Sequence, residues 1–135
     1  MKIKKIIVSG KRKRAIARAV LTEGSGKVYF NKKDYKTLQL FDMLKIEEPI
    51  RITKEILGKT NFDASINVKG GGTKGQIEAA RLALARAIVK FSKSKELTEA
   101  FLNYDRNLLI ADVRRKEMYK PGDSKARKKR QSSKR

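Results

Sequence analysis

The pattern of apolar positions predicts strands near the start and in the middle of the chain. Residues 3–9 are rich in β-branched side chains, residues 15–22 alternate in part, and residues 27–30 form a third short apolar run. A glycine-containing turn separates the last two, so residues 15–30 are predicted to form a β-hairpin. Residues 62–69 alternate strictly between apolar and polar side chains, which is typical of a strand with one buried face.

Three segments predict helices, and one of them contains a proline. Apolar residues recur at spacings of three and four over residues 76–91, which is the period of an amphipathic helix. A shorter pattern predicts another helix over residues 96–104. Pro49 is expected in the first turn of a helix that runs to Leu57 and ends at Gly58, because proline favours helix starts and glycine favours helix ends.

Two shorter apolar runs are ambiguous. Residues 38–44 favour a helix, whereas residues 108–113 fit either a final strand or the end of a helix. Glu47 and Glu48 are expected to open the helix that contains Pro49, where negative charge suits the positive end of the helix dipole. The order of elements predicts an α+β domain of two layers, with the helices on one face of a small sheet.

The net charge of the chain is strongly positive. Its 135 residues include 35 Lys and Arg against 14 Asp and Glu, which gives a formal net charge of +21. Because a large excess of one sign repels itself in a compact fold, this composition indicates a polyanionic partner. Cys, His and Trp are absent, which excludes disulfides, thiol and imidazole catalysis, and the usual zinc sites.

The apolar runs are too short for a membrane protein. The longest, residues 108–111, has the length of one strand, whereas a spanning helix needs about 18 residues. The start of the chain lacks the apolar stretch of a secretory signal. We therefore expect a cytoplasmic location with no membrane partner.

The composition changes abruptly after Asp112. Residues 114–135 contain 11 Lys and Arg and only two acidic residues. Such a segment cannot bury enough apolar surface to offset the entropy cost of ordering it. We predict a globular RNA-binding domain over residues 1–113 and an extended basic tail over residues 114–135.

Three basic regions together predict binding to nucleic acid. They are two separated basic runs, Lys11–Arg14 and residues 125–135, and a basic face on the helix at 76–91. The aromatic pattern of RNA-stacking sheets is missing. Contacts to phosphates, rather than to bases, should therefore dominate. A basic DNA-packaging or architectural protein is an alternative, and it would prefer duplex DNA to structured RNA.

A glycine loop raises the possibility of a nucleotide-binding enzyme. Gly70, Gly72 and Gly75 satisfy the pattern G-x-G-x-x-G between a predicted strand and a predicted helix. However, the chain is short for a doubly wound fold, and Glu96, at the position of the expected acidic residue, lies in a helical pattern. Gln76 stands where a P-loop requires lysine. No cofactor is therefore expected.

The same loop can be either a tight turn without a ligand or a contact for phosphate. Glycines let the backbone approach an anion, and the N–H groups at a helix start attract phosphate. Lys69 and Lys74 add positive charge, so we favour a contact with the RNA backbone. Asp105 and Asp112 lie beside several arginines and are expected to form ion pairs, so no catalytic residue is predicted.

Three blocks of the sequence resemble the family of the ninth protein of the small ribosomal subunit. Ser9–Ala19 contains the glycine, the basic cluster and the Ala-x-Ala-Arg segment, and residues 70–89 (GGGTKGQIEAARLALARAIV) contain three glycines followed by a small-residue helix. Residues 104–117 (YDRNLLIADVRRKE) and the basic end at 125–135 form the third block. The Tyr-Asp-Arg form is similar to archaeal and eukaryotic members, whereas Val113 replaces the proline of many members.

This resemblance implies a fold, a location and partners. The fold would be the two-layer α+β sandwich of the ribosomal protein S5 domain-2-like type, with a left-handed β-α-β crossover. The protein would be a non-enzymatic structural constituent of the small-subunit head, in contact with ribosomal RNA and neighbouring head proteins. Its tail would reach the anticodon stem-loop of transfer RNA in the peptidyl site during translation.

Charge, the glycine loop and the resemblance together define the predicted RNA-binding residues. Those for ribosomal RNA are Lys11, Arg12, Lys13, Arg14, Arg18, Lys69, Gly70, Gly71, Gly72, Lys74, Gln76, Arg81, Arg114, Arg115, Lys125, Arg127, Lys128 and Lys129. Those that the resemblance implies for transfer RNA are Arg130, Gln131, Ser133, Lys134 and Arg135.

Overall fold

The computed structural model describes residues 4–122 and 126–127. The strands are β1 (Lys5–Arg12), β2 (Ala15–Glu23), β3 (Val28–Phe30), β4 (Lys33–Asp34) and β5 (Phe62–Lys69). The helices are α1 (Leu40–Leu57), α2 (Thr73–Ser92) and α3 (Lys95–Tyr104), with short 3-10 turns at Tyr35–Thr37 and Arg106–Leu108. The predicted α+β class is confirmed, with α2 packed on β1, β2 and β5, and α1 packed against α2 and α3.

The sheet has the strand order β1-β2-β5-β3-β4. β5 pairs antiparallel with β2 and parallel with β3, so the predicted hairpin over residues 15–30 is wrong. Asp63 fixes the turn after β2, because its carboxylate accepts hydrogen bonds from the backbone N–H groups of Ser25, Gly26 and Lys27 at 3.0–3.1 Å. The observed hairpin joins β1 to β2 through residues 13–14, which we call the basic turn.

Helix α1 begins earlier than predicted and contains Pro49 in its interior. The expected helix start at Glu47 and Glu48 is therefore wrong, whereas the helical interpretation of residues 38–44 is confirmed from Leu40 onward. An interior proline removes a hydrogen bond and costs about 3 kcal/mol. The helix continues because its buried positions form one stripe, with an apolar residue on each side of the proline. The stripe consists of Asp42, Ile46, Pro49, Ile50 and Thr53.

Small residues let α2 lie close to the sheet. Alanines of β2 and of α2 face each other and are fully buried; they are Ala15, Ala17, Ala19, Ala79, Ala80, Ala83 and Ala87. Gly10 of β1 lies directly beneath the helix, since a Cβ atom there would be 2.6 Å from the Ala79 carbonyl oxygen and 2.7 Å from the Ala83 nitrogen. The predicted helix over residues 76–91 is confirmed, and its close packing depends on this glycine.

The chain after α2 is held by a short helix and a buried leucine. The helix predicted over residues 96–104 is confirmed as α3, and the hydroxyl of Ser94 caps it by accepting a hydrogen bond from the Leu97 N–H at 3.3 Å. Leu108 is fully buried, but residues 109–113 form neither the strand nor the helix end that the sequence left open. Residues 113–122 are exposed and contain no helix or strand.

Candidate nucleic-acid interface

The basic turn and the glycine loop, residues 70–72, are in contact at one end of the sheet. A Cβ atom on Gly70 would lie 2.7 Å from the Arg14 carbonyl oxygen, and one on Gly71 would lie 2.9 Å from the Ala15 nitrogen. Two motifs that are 56 residues apart in the sequence, counted from Arg14 to Gly70, therefore form a single site.

Backbone geometry explains two of the three glycines. Gly70 and Gly71 have φ angles of 78° and 70°, in the left-handed region where a side chain adds strain. Gly72 has a φ of −91° and faces open space. The tight-turn interpretation therefore accounts for the first two glycines, and the third lies at the exposed start of α2.

The start of α2 can attract an anion. Gly72 is the N-cap residue and supplies no side-chain hydrogen bond, and the first turn contains no acidic residue. The helix itself therefore supplies no carboxylate to compensate the positive end of its dipole. Two of the predicted RNA-binding side chains already have protein partners here: the Gln76 amide donates to the Gly70 carbonyl at 3.2 Å, and the Lys74 ammonium lies 3.0 Å from the buried carboxylate of Asp42.

An open groove of about 1040 Å³ lies between the basic turn, the glycine loop and the segment 114–119. Six cations and one acidic residue line it, together with two exposed apolar side chains. The lining residues are Arg12, Lys13, Arg14, Gly71, Gly72, Arg114, Arg115, Lys116, Glu117, Met118 and Tyr119. The structure thus brings together three predicted sites that lie far apart in the sequence, namely the basic run, the glycine loop and the pair Arg114 and Arg115.

The sequence analysis missed four residues that line this groove, among them a cation and an aromatic residue that contact each other; the four are Lys116, Glu117, Met118 and Tyr119. The Lys116 ammonium lies 4.7 Å from the ring centroid of Tyr119, a distance at which a cation is attracted to the face of an aromatic ring. An aromatic side chain inside a run of cations was the signal that could have identified them. The ring is 54% exposed, so its second surface is accessible.

Arg12 lies in the groove wall and points inward. Its Nε donates to Glu78 at 2.6 Å, its Nη2 lies 3.5 Å from Asp112, and its Nη1 is buried without a hydrogen-bond partner in the described part of the chain. Asp112 also accepts hydrogen bonds from the Arg114 guanidinium. These hydrogen bonds hold the pKa of the Asp112 carboxyl well below its usual value. The ion pairing expected at Asp112 is confirmed.

Two of the three cations on the basic face predicted for α2, Arg81 and Arg86, make contacts within the protein, whereas the third, Lys90, is exposed. The Arg81 side chain is only 14% exposed and donates to Glu48 at 2.8 Å and to Asp105 at 3.1 Å. Arg86 donates to the Leu109 carbonyl at 2.8 Å. These two arginines attach α2 to α1 and to the chain after α3.

Three other predicted residues, Lys11, Arg18 and Lys69, are exposed on the opposite face of the sheet and do not line the groove. In the tail, Arg127 donates to Glu117 at 2.8 Å. The remaining predicted tail residues lie outside the described residues; they are Lys125, Lys128, Lys129, Arg130, Gln131, Ser133, Lys134 and Arg135.

The described residues offer no alternative metal or membrane chemistry. Across residues 4–122 and 126–127, no three acidic side chains are grouped so that they could hold a metal ion. None of the described helices combines the length and the apolar character that a bilayer span requires.

Comparison with known proteins gives a consistent result. The model of the family Ribosomal protein S9/S16 matches residues 10–135. Small ribosomal subunit protein uS9 of Methanococcus vannielii is 49% identical over 116 residues, which cover 85% of each chain. The protein of the same name from Methanococcus maripaludis strain C7 is 47% identical over 127 residues, 92% of this chain and 93% of that protein. That of Thermoplasma volcanium is 42% identical over 130 residues, 95% and 96% of the two chains.

Proposed function

This chain belongs to the ribosomal protein S9/S16 family, and from that premise we propose that its groove binds ribosomal RNA in the head of the small ribosomal subunit. Members of this family are structural components of the small subunit and not enzymes, so the protein is a ribonucleoprotein constituent of the translation apparatus. The archaeal-like character of the sequence agrees with its Methanococcus and Thermoplasma relatives. A ribosomal location implies the cytoplasm.

The observation that carries the proposal is the convergence of six cations on one groove. Arginine offers a planar set of donors that matches phosphate oxygens, and each phosphate that is neutralised releases condensed counterions. Contacts of this kind hold the RNA backbone without selecting a base sequence. The exposed start of α2 adds N–H groups that can bind one further phosphate.

We assign the cations two separate roles: some contact RNA directly, and others hold the contacting elements in position. Lys13, Arg14 and Arg115 have no ion-pair partner among the described residues, and we assign them to direct phosphate contact. Arg12 and Arg81 are held by carboxylates, so we assign them to fixing the groove wall and the position of α2.

The proposal extends to the crossover and the tail. β3 and β5 are parallel neighbours connected through α1, and we assign this β-α-β crossover the left-handed form of the ribosomal protein S5 domain-2-like fold.

The division into a domain of residues 1–113 and a tail of residues 114–135 is supported by the exposed, irregular course of residues 113–122. The end of the tail would contact the anticodon stem-loop of peptidyl-site transfer RNA, and head proteins would contact the domain.

Binding of the purified full chain to small-subunit RNA tests the groove. The double variant Arg14→Gln/Arg115→Gln should weaken binding and lower the slope of log K against log salt by about 2, because each phosphate contact contributes roughly one unit. The control Lys54→Gln/Lys59→Gln removes two exposed charges far from the groove along the chain and should leave the slope unchanged. An unchanged slope in the groove variant would refute the assignment. Preference for duplex DNA over structured RNA at equal salt would favour an architectural DNA-binding protein.

Purified subunits that carry a chain lacking residues 130–135 test the tail. Assembly should be nearly intact, because the truncated chain retains every cation that we assign to the groove. The affinity of the peptidyl site for transfer RNA should fall. Equal affinities of mutant and wild-type subunits would contradict the assignment of the tail while leaving that of the groove standing.

A further inference from the structure

One face of the sheet is not covered by any described element. Helix α2 packs on the inner face, where the alternate positions of β2 and β5 are buried. The other positions of these strands, and those of β1, face solvent. We call this surface the open face; its central residues are Ser9, Lys11, Ile16, Arg18, Asn67 and Lys69.

The strand register arranges these six residues in two rows. Arg18 of β2 lies between Ser9 of β1 and Asn67 of β5. In the adjacent row, Ile16 lies between Lys11 and Lys69. Directly opposite side chains on one sheet face have Cβ atoms about 5 Å apart. The three cations therefore form a compact triangle around an exposed isoleucine.

The charge of this triangle is not neutralised by the protein. The ion pairs of the described residues include none of these three cations. The acidic residues on the same face lie outside these two rows: Asp63 accepts hydrogen bonds from backbone N–H groups of the turn after β2, and Asp34 of β4 accepts one from the Lys36 N–H. A surface with three cations and no acidic residue in its two central rows complements a polyanion.

We propose that the open face is a second RNA-binding surface, separate from the groove, which takes an RNA backbone across β1, β2 and β5. This inference rests on the proposed function and extends it to a different side of the molecule. Arg18 would contact phosphate at the centre, with Lys11 and Lys69 beside it. The Asn67 amide and the Ser9 hydroxyl can donate to phosphate or to ribose 2′-hydroxyl groups, which suits RNA.

The two surfaces meet at the basic turn. Successive side chains of a strand point to opposite faces, so the strand pattern places Lys11 on the open face and Arg12 on the groove side. Because β1 is an edge strand, Lys11 also lines a smaller pocket beside Arg12, Glu78 and Arg81. The same four-residue run, Lys11–Arg14, thereby supplies positive charge to both surfaces. The protein would hold two RNA segments, one on each side of this turn, and would fix their relative position.

Charge composition favours RNA over a protein partner for this face. The central part of a protein–protein interface is depleted in charged residues and enriched in apolar ones. Here Ile16, with 44% of its surface exposed, is the only large apolar side chain in the two central rows, whereas three of the six residues are cations. The exposed apolar residues Ile7 and Tyr29 lie in the adjacent row, beside the cations rather than among them. An acidic protein is the competing occupant, and the experiment below separates the two.

The decisive experiment compares two double variants in binding and footprinting on small-subunit RNA. Arg18→Gln/Lys69→Gln alters the open face, Arg14→Gln/Arg115→Gln alters the groove, and Lys54→Gln/Lys59→Gln is the control. The open-face variant should lower the salt slope by about 2 and should lose protection at nucleotides different from those lost with the groove variant. Thermal unfolding of each variant should stay close to wild type, because surface substitutions usually change stability by less than about 0.5 kcal/mol.

The outcomes separate this inference from the proposed function. If only the groove variant weakens binding, the open-face proposal is overturned and the proposed function stands. If neither variant weakens binding, the proposed function fails as well. As a second measurement, the substitution Ile16→p-benzoylphenylalanine places a photo-crosslinker on the open face of assembled subunits. Crosslinks to ribosomal RNA support the proposal, and crosslinks to a neighbouring protein alone overturn it.

Discussion

The variant Gly10→Ala should destabilise the protein, because Gly10 has backbone atoms of α2 directly above it. Its added methyl group would lie 2.6 Å from the Ala79 carbonyl oxygen and 2.7 Å from the Ala83 nitrogen. Both atoms belong to the backbone of α2 and cannot rotate away. An ordinary contact begins at 3.4 Å, so α2 must move away from β1 by about 0.8 Å, and cores resist such movement.

The cost of this movement can be estimated. Overpacking of a core costs typically 1–3 kcal/mol, and a clash with two backbone atoms places Gly10→Ala at the upper end, at about 3 kcal/mol. Loss of the conformational freedom of glycine in the unfolded chain offsets about 0.4–1 kcal/mol. The free energy of unfolding should therefore fall by about 2 kcal/mol. For a domain of this size that corresponds to a decrease in Tm of roughly 7 °C.

The matched control is Gly75→Ala in the first turn of the same helix. Its methyl group would meet the Arg12 carbonyl oxygen at 3.7 Å and the Ala15 Cβ at 3.8 Å, which are ordinary contacts. Because alanine is favoured over glycine in a helix by up to about 1 kcal/mol, this variant should be more stable than wild type. Urea and thermal unfolding monitored by far-UV circular dichroism measure both variants. A Gly10→Ala protein that melts at or above the wild-type temperature would refute the close-packing argument.

Three further substitutions test contacts described above, each measured by urea unfolding. Asp63→Asn should cost about 1.5 kcal/mol, the lower value for a hydrogen bond to a charged group. Hydrogen bonds from backbone N–H groups lower the pKa of Asp63 from 3.8, so the difference between variant and wild type should be complete above about pH 5 and should disappear as the pH falls through the native pKa. A difference independent of pH would contradict this explanation. Lys74→Met should lower the free energy of unfolding by about 2 kcal/mol, because it leaves the Asp42 carboxylate buried without its cation. Adding Asp42→Asn should restore most of this loss. If the double variant is no more stable than Lys74→Met, the ion pair is not the cause. Gly71→Ala should cost at least 2 kcal/mol, because a φ of 70° adds strain of about 1–2 kcal/mol to the close contact with Ala15, and a wild-type urea midpoint would refute it.

Local periodicity was sufficient for some elements and not for others. The alternation of β5 and the three- and four-residue spacing of α2 are properties of a short window, and both elements were predicted. The position of Pro49 inside α1 could not be predicted, because the buried stripe that outweighs its cost depends on contacts with α2 and α3. The strand order was missed for the same reason, since the pairing of β3 with β5 joins segments more than 30 residues apart.

The candidate site shows the same division. The cations and the glycine loop were identified from composition and motif. Which of these cations face solvent and which form ion pairs within the protein was not predicted. Arg81 lies in the sequence as one more cation on a helix, and its acidic partners are 33 and 24 residues away. The groove itself depends on the approach of segment 114–119 to the basic turn, which no local pattern encodes.

The placement of β5 between β2 and β3 has a consequence for the order in which a ribosome-made chain can fold. The hairpin of β1 and β2 uses only neighbouring residues and can form early, but β3 has no partner on its inner side until Lys69 has left the exit tunnel. Until then the nascent chain presents the edges of β2 and β3 without hydrogen-bond partners, a state that invites pairing with other chains. Rapid synthesis of β5 would protect the nascent chain from aggregation. Slowing translation between α1 and β5 should therefore lower the yield of soluble protein.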